Sequence, residues 1–406
     1  MRKVSILKIA EIFLMIFLLY ITWFAEAFIK SNLILYSTAG IATLCIVFDI
    51  IKKRHFRLAH SSILRMYLWF GIYSFLSGLI IAQNKNIFFD SMLSYFSFFI
   101  VLYDCYYVSE HKGSMEWIGS TLLFSAILCV LKVLIAGRQY DNWIIVTTMS
   151  PHNNPNTLGM MMIAGIFFLT HNRDKLLHWF FGKMILVLAF LYVIVLSGSK
   201  KCLIAGFILI LFWMLSYIRN EFSTRMRLKR FLSFLVIFLG IGAAIIYFVN
   251  FFSDTPIFTR FVLFFTENGS KSRLEFYSEA FDIWKQHPIF GAGYFQFMVL
   301  NSRGMYSHST YAEILSCSGI VGCLIFFIPI IRLGIRLIKN VFDKSKKEMK
   351  YNNQMLLIIF VVELLMGAVQ IWYYDFLHLF IFLYLAWRAE NPDNDKAVLE
   401  GGIRNV

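Results

Sequence analysis

Three short stretches of this sequence combine residue types that could hold an anion and move a proton. The first is Ser197-Gly198-Ser199-Lys200-Lys201, between two apolar runs. Ser199 is a good helix N-cap, which puts Lys200 and Lys201 in the first turn of the helix that follows. Cations there oppose the helix dipole by about 0.3–1 kcal/mol each. Two readings answer that opposition. Either the lysines and the free backbone N–H groups hold an anion together, or the lysines anchor on lipid headgroups. The second stretch is Ser272-Arg273-Leu274-Glu275, a capping box with Arg273 again in the first turn. The third is Ser307-His308-Ser309-Thr310-Tyr311-Ala312-Glu313, where Thr310 and Glu313 offer a second capping box and a helix begins about there. His308 then stands just ahead of a helix N-terminus, whose positive end disfavours a second proton. A neutral imidazole in that position suits a general base. A lone interfacial histidine can also be structural, but beside two anion-seeking stretches the base is the stronger reading.

The elements that must position these groups are membrane helices. The chain is 59% hydrophobic and 15% charged, with a mean hydropathy of +0.68. Apolar runs of about twenty residues recur about twelve times, each long enough to cross a bilayer. The first run ends at Phe24, and the others centre near Ile41, Ser74, Ser97, Ala126, Ile163, Ala189, Leu209, Gly240, Gly322, Val362 and Phe382. The last two are joined through Tyr373-Tyr374-Asp375 and form a tight hairpin. The fold class expected is an all-α integral membrane protein of about 12 spans. One polytopic domain covers 1–390 and a cytoplasmic tail covers 391–406. The start of the chain resembles a signal peptide, with Ala25-Glu26-Ala27 as a small-x-small step, but its apolar run suits an uncleaved first helix better.

A net charge of +14 could suggest nucleic acid, but the basic residues lie between spans and serve as anchors. With a cytoplasmic N-terminus, Lys and Arg favour the inner segments by more than two to one. Both termini are therefore expected inside. The one long polar interval, about 253–310, is expected on the extracytoplasmic side between spans nine and ten. It carries an amphipathic helix over Ser272–Gln286, with Leu274, Tyr277, Phe281 and Trp284 as its apolar stripe. His287-Pro288 stops that helix, with His287 in a structural role, and Gly291-Ala292-Gly293 permits a reversal. A further outer turn, Asn154-Pro155-Asn156, ends in a helix cap and either leads into a span or shapes a cleft. The six cysteines show neither disulfide nor zinc spacing and read as packing residues. Glu11, Lys132 and Glu363 fall inside spans, as transport-path groups or as hydrogen-bonded packing.

In their order along the chain, these features resemble the O-antigen ligase and polymerase family of membrane enzymes. The resemblance rests on Asn154-Pro155-Asn156, on Ser197-Gly198-Ser199-Lys200, and on the block from Ser272 to Gly322. That block reads S-R-x(3)-Y-x(2)-A-x(3)-W-x(2)-H-P-x(2)-G-x-G, then S-H-S-x-Y-x-E-I-L-x(3)-G-I-x-G. The resemblance implies a metal-independent glycosyltransferase in the bacterial cytoplasmic membrane, acting at its outer face and needing no cofactor. It implies polyprenyl-diphosphate-linked oligosaccharides as donor and acceptor, membrane lipids as surroundings, and a flippase and a chain-length regulator as candidate partners. Arg273 and His308 fall on the family's loop Arg and loop His. Lys200 falls where the family has Arg, with Lys201 as its neighbour and candidate substitute. Arg273 and Lys200 would neutralise the diphosphate, and His308 would deprotonate the acceptor. Asn154, Asn156, Ser199, Tyr311 and Glu313 are the further candidates for the cleft. Polymerisation of repeat units is the favoured activity, with ligation of a glycan onto a lipid A-core as the alternative. A polysaccharide or lipid-linked-sugar transporter is the rival of another class.

Overall fold

A segment inside a bilayer must satisfy its own backbone, and helices do this within one stretch of chain. The computed structural model describes residues 5–24, 32–53, 61–136, 155–171, 180–197, 199–221, 271–343 and 350–391. Thirteen α-helices and no strand occur among these residues. They are α1 (Ile6–Leu19, running on as a π-helical turn Tyr20–Phe24), α2 (Asn32–Lys53), α3 (Ser62–Ile81), α4 (Lys85–Lys112), α5 (Glu116–Ala136) and α6 (Pro155–His171). Then come α7 (Phe180–Ser197), α8 (Lys200–Glu221), α9 (Lys271–Gln286), α10 (Phe297–Leu300), α11 (Thr310–Phe342), α12 (Lys350–Gly367) and α13 (Phe376–Glu390).

Among the described residues, five helices are long and apolar enough to cross a membrane: Leu33–Lys53, Ser62–Ile81, Lys85–Lys112, Glu116–Leu134 and Thr310–Phe342. Shorter apolar helices cover Asn156–His171 and Gly182–Ser197. Helix α1 lies in the first apolar run, and a helix stands at ten of the eleven expected span centres. The remaining centre, Gly240, lies outside the described residues, as do Ala25-Glu26-Ala27, Asn154, residues 253–270 and the tail from 392.

The bundle is arranged around α13. Its sequence is apolar on nearly every side, as in a helix held within a core or a bilayer, and every residue from Leu377 to Ala389 is buried. It rests against α3, α4, α6, α11 and α12. Of the ionisable groups expected in spans, Glu363 is buried against His378, with Oε2 2.5 Å from Nδ1, and Glu11 pairs with Lys112.

The polar interval is built on α11, which is broken. Gly319 has φ 62° and ψ −167° inside that helix, a backbone state open essentially to glycine alone. The Pro288–Gly293 turn fills the break. Ala292 N–H donates to Ser316 O and Gly293 N–H to Cys317 O, both at 2.9 Å. Ile320 N–H donates to Pro288 O at 3.0 Å and Val321 N–H to Ile289 O at 3.2 Å. The Gly-x-Gly and Gly-Ile-x-Gly signatures are thus two halves of one joint. A Cβ on Gly319 would stand 2.3 Å from Ile289 O, and one on Gly291 2.3 Å from the Cys317 carbonyl carbon. Gly319→Ala is therefore expected to cost on the order of 3 kcal/mol or more, from overlap added to strain. Gly304→Ala has a similar φ of 64° but meets nothing within 4 Å, and should cost only about 1 kcal/mol. Thermal unfolding of the two purified variants checks this; equal losses would mean the close approach contributes nothing.

Two sequence expectations for α9 are corrected here. Its buried stripe is Phe276, Ala280 and Ile283, packed with Ala292, Phe297 and Cys317, while Leu274 is 63% and Phe281 46% exposed. The helix has two apolar stripes, and the one with the smaller Ala280 fits closely under the turn. The capping box is also absent. The helix already includes Lys271, and the Glu275 carboxylate pairs with Arg303 instead of reaching back. Glu279 accepts from Ser302 N–H and Oγ at 3.1 and 2.7 Å. The acidic side of α9 is therefore spent on clamping the 302–303 loop.

Candidate functional site

The α12–α13 connection supplies the frame of the site. Helix α12 ends at Gly367, leaving its last carbonyls without intrahelical partners. Three consecutive carbonyls that follow take donors from three different helices. Ala368 O accepts from Tyr277 Oη of α9 at 2.8 Å, and Val369 O accepts from Lys201 Nζ of α8, also at 2.8 Å. Gln370 O accepts from both N–H and Oγ1 of Thr310, the first residue of α11, at 3.1 and 2.8 Å. The first turns of α8 and α11 and the second turn of α9 are thereby gathered at one place.

Helix α8 begins where the sequence placed it, and Ser199 O accepts the Leu203 N–H at 3.0 Å. The Ser199 hydroxyl, however, donates to Asn156 Oδ1 at 2.7 Å. Asn156 is not a cap either. It sits inside α6, behind Pro155, which suits a first helical position because it has no N–H to satisfy. Ser199 and Asn156 tie α6 to the start of α8, directly behind the lysines.

Arg273 is half-buried in the first turn of α9. Its charge acts on Lys200 and Lys201 alike, and on His308. Three cationic side chains thus stand near one another at helix ends that are themselves positive. Asp375, whose carboxylate caps α13 by accepting from Leu377 N–H at 3.0 Å, acts electrostatically on Lys201. Such a gathering of like charge is the arrangement that a bound anion would stabilise.

His308 is held in the left-handed region at φ 61°, which costs about 1–3 kcal/mol for a residue with a Cβ. Both neighbours are pinned to keep it there. Ser307 N–H donates to Glu313 Oε2 at 2.7 Å, and Ser307 Oγ donates to Ser309 O at 2.9 Å. Ser309, not Thr310, caps α11, its Oγ accepting from Ala312 N–H at 3.4 Å. The cap is therefore displaced by one residue and the predicted box is not formed, because Thr310 is committed to Gln370 and to Trp372 N–H, the latter at 2.9 Å, and Glu313 to Ser307 N–H. Glu313 is buried and acts on the Ser307 turn. Tyr311 donates to Leu364 O at 2.7 Å and stacks on Phe327, so it braces α11 against α12.

The imidazole of His308 lies between Tyr306, at 4.3 Å between ring centroids, and Phe276 at 5.7 Å. Burial, followed by the charges of Arg273 and Lys201, pushes its pKa down from 6.5 to about 4. The ring is neutral at physiological pH and can accept a proton. Burial and the Glu313 carboxylate push Tyr306 up, so its hydroxyl stays protonated beside the imidazole.

The structure thus brings together Lys200, Lys201, Arg273 and His308, with Glu313 one contact behind. Tyr306 and the carbonyls of 368–370 were not singled out from the sequence, and Tyr277 and Asp375 were named there only in the α9 stripe and the α12–α13 hairpin. The aromatic and acidic cluster Trp372-Tyr373-Tyr374-Asp375 between two apolar runs was the available signal. No group of His, Cys, Asp and Glu able to hold a metal ion occurs among the described residues.

A family model described as O-antigen ligase matches residues 184–327. That segment contains Lys200, Lys201, Arg273 and His308, and it excludes the α12–α13 frame. No curated protein matches the chain.

Proposed function

We propose, from the match of residues 184–327 to a family model described as O-antigen ligase, that this protein acts on lipid-linked glycans and polymerises polyprenyl-diphosphate-linked oligosaccharide repeat units at the outer face of the bacterial cytoplasmic membrane. The observation that carries the reading is the run of three carbonyls, 368–370, that assembles the starts of α8, α9 and α11 around His308. Arg273 and Lys201 hold the donor diphosphate, with Lys200 beside them. The attacking hydroxyl of the acceptor gives its proton to a ring nitrogen of His308 as its oxygen bonds to the donor's anomeric carbon. The bond from that carbon to the phosphate oxygen breaks, and polyprenyl diphosphate leaves with its new charge on the cationic cluster. No step in this scheme calls on a metal ion.

Donor and base are coupled. A diphosphate on Arg273 and Lys201 offsets the charges that depress His308, so the imidazole becomes a stronger base when the donor is bound. Unproductive deprotonation in the empty site is disfavoured by the same charges.

The match to an O-antigen ligase model favours a second reading, transfer of a finished glycan to a lipid A-core acceptor. Deletion of the gene separates the two. A polymerase deletion is expected to leave single repeat units on the carrier lipid and at the surface. A ligase deletion would leave full-length polymer on the carrier lipid. Unchanged surface glycan would contradict both.

A further inference from the structure

The Pro288–Gly293 turn belongs to the polar interval, yet most of its backbone groups are bonded to protein, the N–H groups of Ile289 and Phe290 being among the exceptions. The carbonyls of His287, Pro288, Ile289 and Phe290 all accept, from Gly291 N–H, Ile320 N–H, Val321 N–H and Tyr73 Oη respectively. The N–H groups of Gly291, Ala292 and Gly293 all donate. Tyr73 Oη reaches Ser318 O as well, at 2.6 Å, and so fastens the turn and the α11 break to α3. A turn bonded to this extent enters an apolar layer at less cost than an open loop, which leaves such groups to solvent.

The side chains point to the same surroundings. Ile289 and Phe290 are 55% and 51% exposed, at the level of the α11 break. From the level of the break inward, α11 carries an exposed apolar stripe: Ile320, Leu324, Ile328 and Ile331. On α3, beside Tyr73, Leu76 and Ile80 are exposed too. The turn therefore continues the lipid-facing surface of two spans.

Depth follows from the basic residues of α11. Arg332 and Arg336 are exposed on the side that charge assigns to the cytoplasm. A hydrocarbon core of about 30 Å takes about 20 helical residues. Counted outward from either arginine, its outer boundary falls near Ala312 or near Ser316. Ile320 and Val321, to which the turn is bonded, lie inside that boundary in both cases.

We infer that the His287–Gly293 turn is a re-entrant element, seated in the acyl chains of the outer leaflet through Ile289 and Phe290. The α9 segment above it is then a structure hinged in the membrane, which keeps Arg273 and His308 at headgroup level, where a lipid diphosphate travels. The occupant of this surface is bilayer lipid.

The test is a depth measurement on the full-length protein in phosphatidylglycerol–phosphatidylethanolamine vesicles. Nitroxide labels are placed at Phe290→Cys and, as a second position, Ile289→Cys. Leu324→Cys serves as the lipid reference and Ser302→Cys as the aqueous reference. None of the six native cysteines is exposed, and the unsubstituted protein gives their background. The ratio of oxygen to polar nickel-chelate accessibility is expected to fall on the Leu324 side of the midpoint at both positions. A ratio on the Ser302 side at either position would overturn the inference. The measurement needs no substrate, so its failure would leave the proposed transfer reaction untouched.

Discussion

Replacement of His308 by Gln is expected to lower the rate of glycan transfer by about 10²–10⁴-fold, the usual contribution of a positioned base. Gln keeps much of the ring's volume between Tyr306 and Phe276 and leaves the Ser307–Glu313 contact intact, so the loss should appear without unfolding. The pH profile gives a second reading of the same group. An ordinary histidine protonates near 6.5, whereas His308 in this site holds out to about 4. In the wild type, kcat/KM should stay level through pH 6.5 and fall only toward about pH 4. Because the bound diphosphate offsets Arg273 and Lys201, the acid limb in kcat should lie at higher pH than the limb in kcat/KM. The sign for stability is the same. Between 6.5 and 4 the unfolded chain takes a proton that the folded site declines, so His308 makes the fold less stable as pH falls through that window. Its unfavourable effect is absent above 6.5.

Arg273→Gln should have the second-largest effect, a loss of about 10²–10³-fold in kcat/KM, comparable to removing one donor from a developing anion. It should also move the acid limb of kcat/KM upward, because the charge that presses on His308 is gone. Arg273→Lys separates the two consequences. The charge remains, so the limb should stay near 4, while the bidentate fork on the diphosphate is lost and activity falls. A purely structural role for Arg273 would leave the limb unmoved in both variants. Kinetics across pH in proteoliposomes read both effects, and an unchanged limb in Arg273→Gln would falsify the proximity of the two residues.

The chemistry-bearing residues were legible because their local rules are strong. A serine followed by two lysines ahead of an apolar run places α8 to the residue, and Ser-His-Ser-Thr places His308 one turn from the start of α11. What surrounds them was not legible, for three different reasons. Backbone carbonyls carry no residue type, so the partners of Tyr277, Lys201 and Thr310 at Ala368, Val369 and Gln370 leave no mark in the sequence. Periodicity found an apolar stripe on α9 but could not choose between Leu274 with Phe281 and Phe276 with Ile283. The choice depends on the turn packed beneath, where Ala280 and Ala292 allow close contact. Gly319 in an apolar run reads as a tolerated glycine, and only the Pro288–Gly293 backbone lying in the break explains it. The caps failed for a related reason. Thr310 and Asn156 are good capping residues whose side chains are instead committed to Gln370 and Ser199, groups more than 40 residues distant in sequence.

The central claim is that His308 and the cations gathered by residues 368–370 transfer a glycan between two lipid carriers. Its most direct test is the mass distribution of lipid-linked products formed by the purified protein in proteoliposomes supplied only with polyprenyl-diphosphate repeat unit. The wild type is expected to yield dimers and longer chains together with free polyprenyl diphosphate, and His308→Gln to leave the repeat unit unconverted. Equal product ladders from wild type and His308→Gln would contradict the account.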